Sequence, residues 1–134
     1  MSAFSNIESA YEKFGAEEPF YAVLTEEKYK RKQLDEELFF KTGEDLLARQ
    51  MKLIQDRGIQ ISRGRALDFG CGVGRLTNAM ATYFDEVIGV DISSTMIGNA
   101  NQLKRRPNCS FQVNKKPDLS LFPDDQFDFI YSDI

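Results

Sequence analysis

The sequence predicts an α/β protein: a parallel sheet with helices on both faces, preceded by a helical N-terminal segment. Three observations carry this. From residue 65 onward, apolar runs of strand length alternate with stretches of helical periodicity. The first run passes directly into Gly70-Cys71-Gly72-Val73-Gly74 and then into a helix start, a strand–turn–helix corner that needs glycine's access to positive φ. Two of the runs carry an acid at or near their ends, Asp68 and Asp91. Strand, helix, strand, helix, strand, strand is the order of a sheet whose ligands bind at the carboxyl ends of its strands.

Each element has its own signal. Ile7, Tyr11 and Phe14 at helical spacing, with Gly15 as the stop, predict a short helix over 4–15. Pro19 bars a continuous helix through 16–25, while Phe20, Tyr21, Val23 and Leu24 are too apolar for a free linker. That arm either pads the core or folds over the ligand corner as a lid. Thr25 caps a helix over 26–40 bearing Leu34, Leu38, Phe39 and Phe40. Thr42 caps a second helix, with Asp45 placed as in a capping box, Leu47, Met51 and Ile54 as its face, Leu46 and Leu53 widening it, and Gly58 as its stop. Ile59 and Ile61 form an extended connection and Arg63-Gly64 a turn. The strands are Arg65–Phe69, Glu86–Asp91, Cys109–Val113 and Phe127–Ser132. Between them, one helix runs from Arg75 to about Phe84 on Leu76 and Met80. Another, capped by Ser93 or Ser94, runs to about Lys104 on Met96, Ile97 and Ala100. Residues 1–64 thus form a helical arm or cap on the same domain, and 65–134 the ligand-binding α/β part.

Composition narrows the function. The net charge of −4 argues against nucleic acid as a partner, since phosphate binding needs clustered cations. The densest basic run, Lys28 to Lys32, is flanked by acids and reads as a solvated helix face. Two cysteines, Cys71 and Cys109, make no disulfide framework, which fits a reduced cytoplasmic chain. No histidine is present, which removes the commonest general base and metal ligand, and no metal site is expected. No apolar run reaches the length of a membrane span.

The sheet rule puts Asp68 to Gly74, Asp91 to Ser93, Asn114 and Ser132 to Ile134 along one edge. Asp91, at the end of the second strand, can accept hydrogen bonds from both hydroxyls of a ribose. The glycines are spaced G-x-G-x-G, not G-x-G-x-x-G, and Asp68 precedes them by two residues. A carboxylate there repels a pyrophosphate and attracts an ammonium. The corner therefore suits a ligand with adenosine at one end and an amino acid at the other.

Asp68-Phe69-Gly70-Cys71-Gly72-Val73-Gly74 resembles motif I of the class I S-adenosylmethionine-dependent methyltransferases. Val87-Ile88-Gly89-Val90-Asp91-Ile92-Ser93 with Met96, and Phe127 to Ser132, resemble that family's second and fourth strands, so the likeness covers about 65–134. It implies a Rossmann-like sheet in the order 3-2-1-4 and S-adenosyl-L-methionine as cofactor, with S-adenosyl-L-homocysteine as product. It implies that Gly70, Cys71, Gly72 and Gly74 wrap the methionine part and that Asp68 lies near its ammonium. Asp91 would bind the ribose, Ile92 and Met96 sandwich the adenine, Asp118 and Leu119 meet its edge, and Ser132 and Asp133 sit near the sulfonium.

Methyl transfer from a sulfonium is an in-line displacement in which the protein supplies alignment and sometimes a base. Asp133 is the one candidate base. The fourth strand lacks the Asn/Asp-Pro-Pro-aromatic ending of nucleic-acid amino methylases, which argues against a nucleic-acid amino group; the acidic charge and the helical N-terminal arm make a small molecule the expected acceptor, with a protein next. The family sheet has seven strands and this sequence supplies four. The chain is therefore expected to be the cofactor-binding fragment of a longer enzyme, inactive alone, and to self-associate through its exposed fourth strand. Two alternatives remain: a non-catalytic S-adenosylmethionine-binding module, and an NAD- or FAD-binding Rossmann domain.

Overall fold

The structure, a computed structural model, describes residues 36–133. The helix expected over 4–15, the arm over 16–25 and the start of the helix over 26–40 lie outside the described residues. A helix α1 (Glu36–Asp56) precedes β1 (Arg65–Phe69), α2 (Arg75–Met80), β2 (Glu86–Asp91), α3 (Ser94–Leu103), β3 (Cys109–Val113) and β4 (Phe129–Tyr131). All strand pairs are parallel, in the order β3-β2-β1-β4.

The register sorts side chains by face. Ala66 and Asp68 lie beside Val87 and Gly89 and face the helices, while Leu67 lies beside Ile88 and faces away. On the helix side, Leu47 and Met51 of α1 pack with Ala79 and Met80 of α2 onto Ala66, Val87 and Cys109. The crossovers β1-α2-β2 and β2-α3-β3 step the same way across the sheet, so their right-handedness puts α2 and α3 on one face. Met96 of α3 closes that layer against Phe39, Phe40 and Val73.

The return from β3 to β4 crosses the other face. There Leu119, Phe122 and Phe127 pack on Leu67, Ile88 and Val90. Residues 114–128 contain no helix. Among the described residues the second face is thus covered by a turn-rich segment. Pro117 and Pro123 break helical pairing there, and Asp125 takes φ 58°.

Three boundaries differ from expectation. Thr42 caps nothing, because one helix runs through it. Its hydroxyl donates back to the Phe39 carbonyl at 2.6 Å, and Asp45 pairs with Lys41 at 3.1 Å. The helix stop at Gly58 is as expected: with φ 69°, its N–H donates to Gln55 O and that of Ile59 to Ile54 O. Helix α2 ends at Met80 rather than Phe84. The Asn108 amide takes the carbonyls of Ala81 and Phe84 at 2.9 and 3.0 Å, so that segment satisfies its backbone without another helical turn. Strand β4 keeps only Phe129–Tyr131. Before it, the Asp128 N–H donates to Arg65 O at 2.8 Å while its carboxylate accepts from the Arg65 N–H at 3.0 Å, and after it the Ser132 hydroxyl donates to Phe69 O at 2.8 Å, so side chains supplement the backbone pairing at the strand's two ends.

Candidate functional site

The glycine turn is tied to the neighbouring strand. The N–H groups of Gly70 and Cys71 both donate to the Val90 carbonyl at 2.9 Å. Gly70 has φ 74° and nothing within 4 Å of where a Cβ would sit, so the backbone here faces open space. Gly74 has φ 90° and is also close-packed: a Cβ would stand 2.8 Å from the Phe111 ring. The Cys71 thiol is buried against Gly72 O, and burial first, then Asp68, pushes its pKa well above the usual thiol range.

Beneath the turn lies Asp68, only 2% exposed. The Thr77 hydroxyl of α2 donates to its Oδ2 at 2.7 Å. Gly89 makes the approach possible, since a Cβ there would meet Thr77 Oγ1 at 2.9 Å and the Phe111 ring at the same distance. Burial raises the Asp68 pKa from 3.8 to about 6. The Thr77 hydrogen bond opposes this, Asp91 adds to it, Arg75 opposes it and Asp133 adds to it.

Asp91 closes the other side. Its Oδ2 accepts from the Gly72 N–H and its Oδ1 from the Ser93 N–H, both at 2.9 Å. One carboxylate thus joins the glycine turn to the start of α3, where Ser93 caps the helix by accepting from Met96 N–H at 3.1 Å. Ile92 is half-buried between them. Met96 is buried in the cluster of Phe39, Phe40 and Val73.

Asn114, buried at the end of β3, donates from Nδ2 to the Asp118 carbonyl at 3.0 Å and so folds the next turn back. The Asp118 carboxylate is exposed and accepts from the Ser120 N–H at 2.9 Å; the Ser120 hydroxyl first, and that N–H second, lower its pKa. Leu119 packs on the second face. Beyond β4, the Asp133 carboxylate meets Arg75 Nη2 at 3.3 Å.

The edge therefore gathers Asp68, Gly70 to Gly74, Asp91, Ser132 and Asp133. Sequence reading passed over Thr77 and Arg75. Each had an indirect signal in a glycine inside a regular element: Gly89 in β2 opposite Thr77, and Gly43 in α1 opposite Arg75. Among the described residues, no group of acids and cysteines is arranged to hold a metal ion.

A family profile described as a methyltransferase domain matches residues 66–134. The chain belongs to that family. It is thereby placed among the class I S-adenosylmethionine-dependent methyltransferases. Over 98 residues it is 37% identical to an uncharacterized methyltransferase of Bacillus subtilis (strain 168), YcgJ, covering 71% of this chain and 36% of the other. The crystal structure of YcgJ superposes with a TM-score of 0.51 at 33% identity, over 63% of this chain and 37% of that one. The SAM-bound magnesium protoporphyrin IX methyltransferase of Synechocystis PCC 6803 has a TM-score of 0.61 at 19% identity, over 98% of this chain and 62% of the other. A methyltransferase of Haloferax volcanii in complex with its Trm112 activator also has a TM-score of 0.61, at 22% identity, over 91% of this chain and 46% of the other. The last two share the fold. The chain spans about a third of the length of the curated relative it matches.

Proposed function

We propose that this methyltransferase-family chain binds S-adenosylmethionine at the glycine turn and carries the cofactor-binding part of a methyl transfer to a small-molecule acceptor. The observation that supports this most is the pairing of two carboxylates across the turn. Asp68 is buried beneath it, Asp91 is tied to its amides, and Gly70 lies open between them. These residues fit the group. An acid buried with one hydroxyl partner favours an ammonium over a pyrophosphate, which is why the reading prefers S-adenosylmethionine to NAD or FAD. When bound, the cofactor supplies a methyl already activated on a sulfonium.

In this reading Gly70, Cys71, Gly72 and Gly74 present backbone to the methionine part, and Asp68 attracts its ammonium. Asp91 accepts from the ribose hydroxyls. Ile92 lines the adenine pocket with Asp118 and Leu119, while Met96 supports it from the core. Ser132 and Asp133 stand at the transfer end. Residues 1–64 serve as the arm on this 65–134 part, and the working compartment is the cytoplasm. No helix among the described residues is long and apolar enough to cross a membrane.

Calorimetric titration of the purified chain with S-adenosylhomocysteine, against NAD as control, tests the reading. Binding of the former, abolished by Asp91→Ala and with no heat from NAD, is expected. Binding of NAD alone would overturn it. A binder that transfers no methyl to any acceptor would be the non-catalytic alternative.

A further inference from the structure

Arg75 is an expensive residue. Its side chain is only 10% exposed, and its Nε–H is buried without a hydrogen-bond partner. Burial depresses its pKa, against the opposing pull of Asp133 and Asp68. It is the first residue of α2, where free N–H groups already make the local potential positive. Its contacts are long: Nη1 donates to Thr42 Oγ1 and Nη2 to Asp133 Oδ2, each at 3.3 Å. An unbranched apolar side chain would fill the same space without these penalties. Yet α1 is shaped around it, since a Cβ on Gly43 would stand 2.7 Å from the Arg75 carbonyl oxygen and 2.8 Å from its Cγ.

What the guanidinium does is join distant parts. Thr42 belongs to α1, Asp133 follows β4, and Asp68 lies in β1 beneath the turn. We propose that Arg75 is a positioning residue, which clasps α1 to the chain beyond β4 and so fixes Asp133 and the N-terminal half of α1 around the glycine turn. This rests on the reading of that edge as the S-adenosylmethionine site. The clasp holds the transfer end of the site in place at a cost in stability.

The test compares R75M, R75K, D133N and T42V in the full chain by thermal melting, by amide exchange of the ligand-free protein and by calorimetry with S-adenosylhomocysteine. R75M is expected to melt at or above the wild type, because no charge is left buried against apolar neighbours except Asp68, which can take a proton. Its amides over 38–44 and 129–133 should exchange faster, and its affinity should fall about tenfold, equivalent to about 1.4 kcal/mol. R75K should recover most of that affinity, and D133N should add little to R75M. A residue of purely structural value would lower the melting point and the affinity together, and that outcome overturns the proposal. So does wild-type exchange and affinity in R75M. If R75M does not fold, D133N and T42V must each speed exchange in both segments, and their failure to do so overturns it. A wild-type chain that does not bind S-adenosylhomocysteine would refute the cofactor reading, while the exchange data still decide the clasp.

Discussion

Asp68 sets the pH response of the site. Its folded pKa of about 6 lies above the ordinary 3.8, so ionising it costs the folded state and not the unfolded one. The associated stability is present below the unfolded value and is lost as pH rises through 4 to 6, by on the order of 3 kcal/mol. The groups facing it include Thr77 and Arg75 of α2, Asp91 of β2, Tyr131 of β4, Asp133 beyond it, and the thiols of Cys71 and Cys109. The unfolding free energy of the wild type relative to D68N should therefore fall between pH 4 and pH 7.5, read from urea midpoints. Binding runs the other way. An ammonium ligand needs the ionised form, so affinity for S-adenosylhomocysteine should rise between pH 5 and pH 7 and lose that step in D68N. Thr77→Val removes the hydrogen bond that favours the carboxylate, at roughly 1–3 kcal/mol above pH 7, and should move the step upward.

At the scale of elements, two glycines mark where helices and strands touch. In an exposed helix, Gly→Ala gains up to about 1 kcal/mol. Gly43→Ala should reverse that sign and cost about 1–3 kcal/mol by chemical denaturation, because its Cβ would meet Arg75 backbone at 2.7 Å. Gly89→Ala should cost a similar amount and weaken ligand binding, because the nearest atoms include Thr77 Oγ1. An unchanged denaturation midpoint in either variant would show that α1 or α2 shifts freely. Element identity was legible in the sequence from β1 to β4, since strands of this kind are short apolar runs and the helices carry their own stripes. The junction at Thr42 was not. A threonine followed by an acid three residues on satisfies the local rule for a cap, and only the packing of Phe39, Phe40 and Leu47 onto one layer shows that the helix continues.

Among the described residues the sheet has two outer strands, β3 and β4, each paired on one side only, and part of one face is uncovered. β4 pairs only with β1, and Phe69, Leu121 and Ile130 are 42%, 41% and 54% exposed. An unpaired edge with apolar neighbours is a surface for strand addition. The chain should therefore self-associate in the high-micromolar range by sedimentation equilibrium, and Ile130→Lys should shift it toward monomer. A monomer at all concentrations would remove this edge as a contact.

The family resemblance implied the strand order; the sequence by itself determined the parallel α/β architecture and the glycine turn between Asp68 and the helix that follows. Each of these is written in neighbouring residues: strand runs, helical stripes, glycines where φ must be positive. Tertiary structure decided what the acids meet. The meeting of Thr42, Arg75 and Asp133, the Thr77 hydroxyl on Asp68 and the turn-rich cover of the second face all join residues far apart in the chain. No local pattern encodes such contacts, because they exist only once α1, α2 and β4 have been brought to the same edge of the sheet.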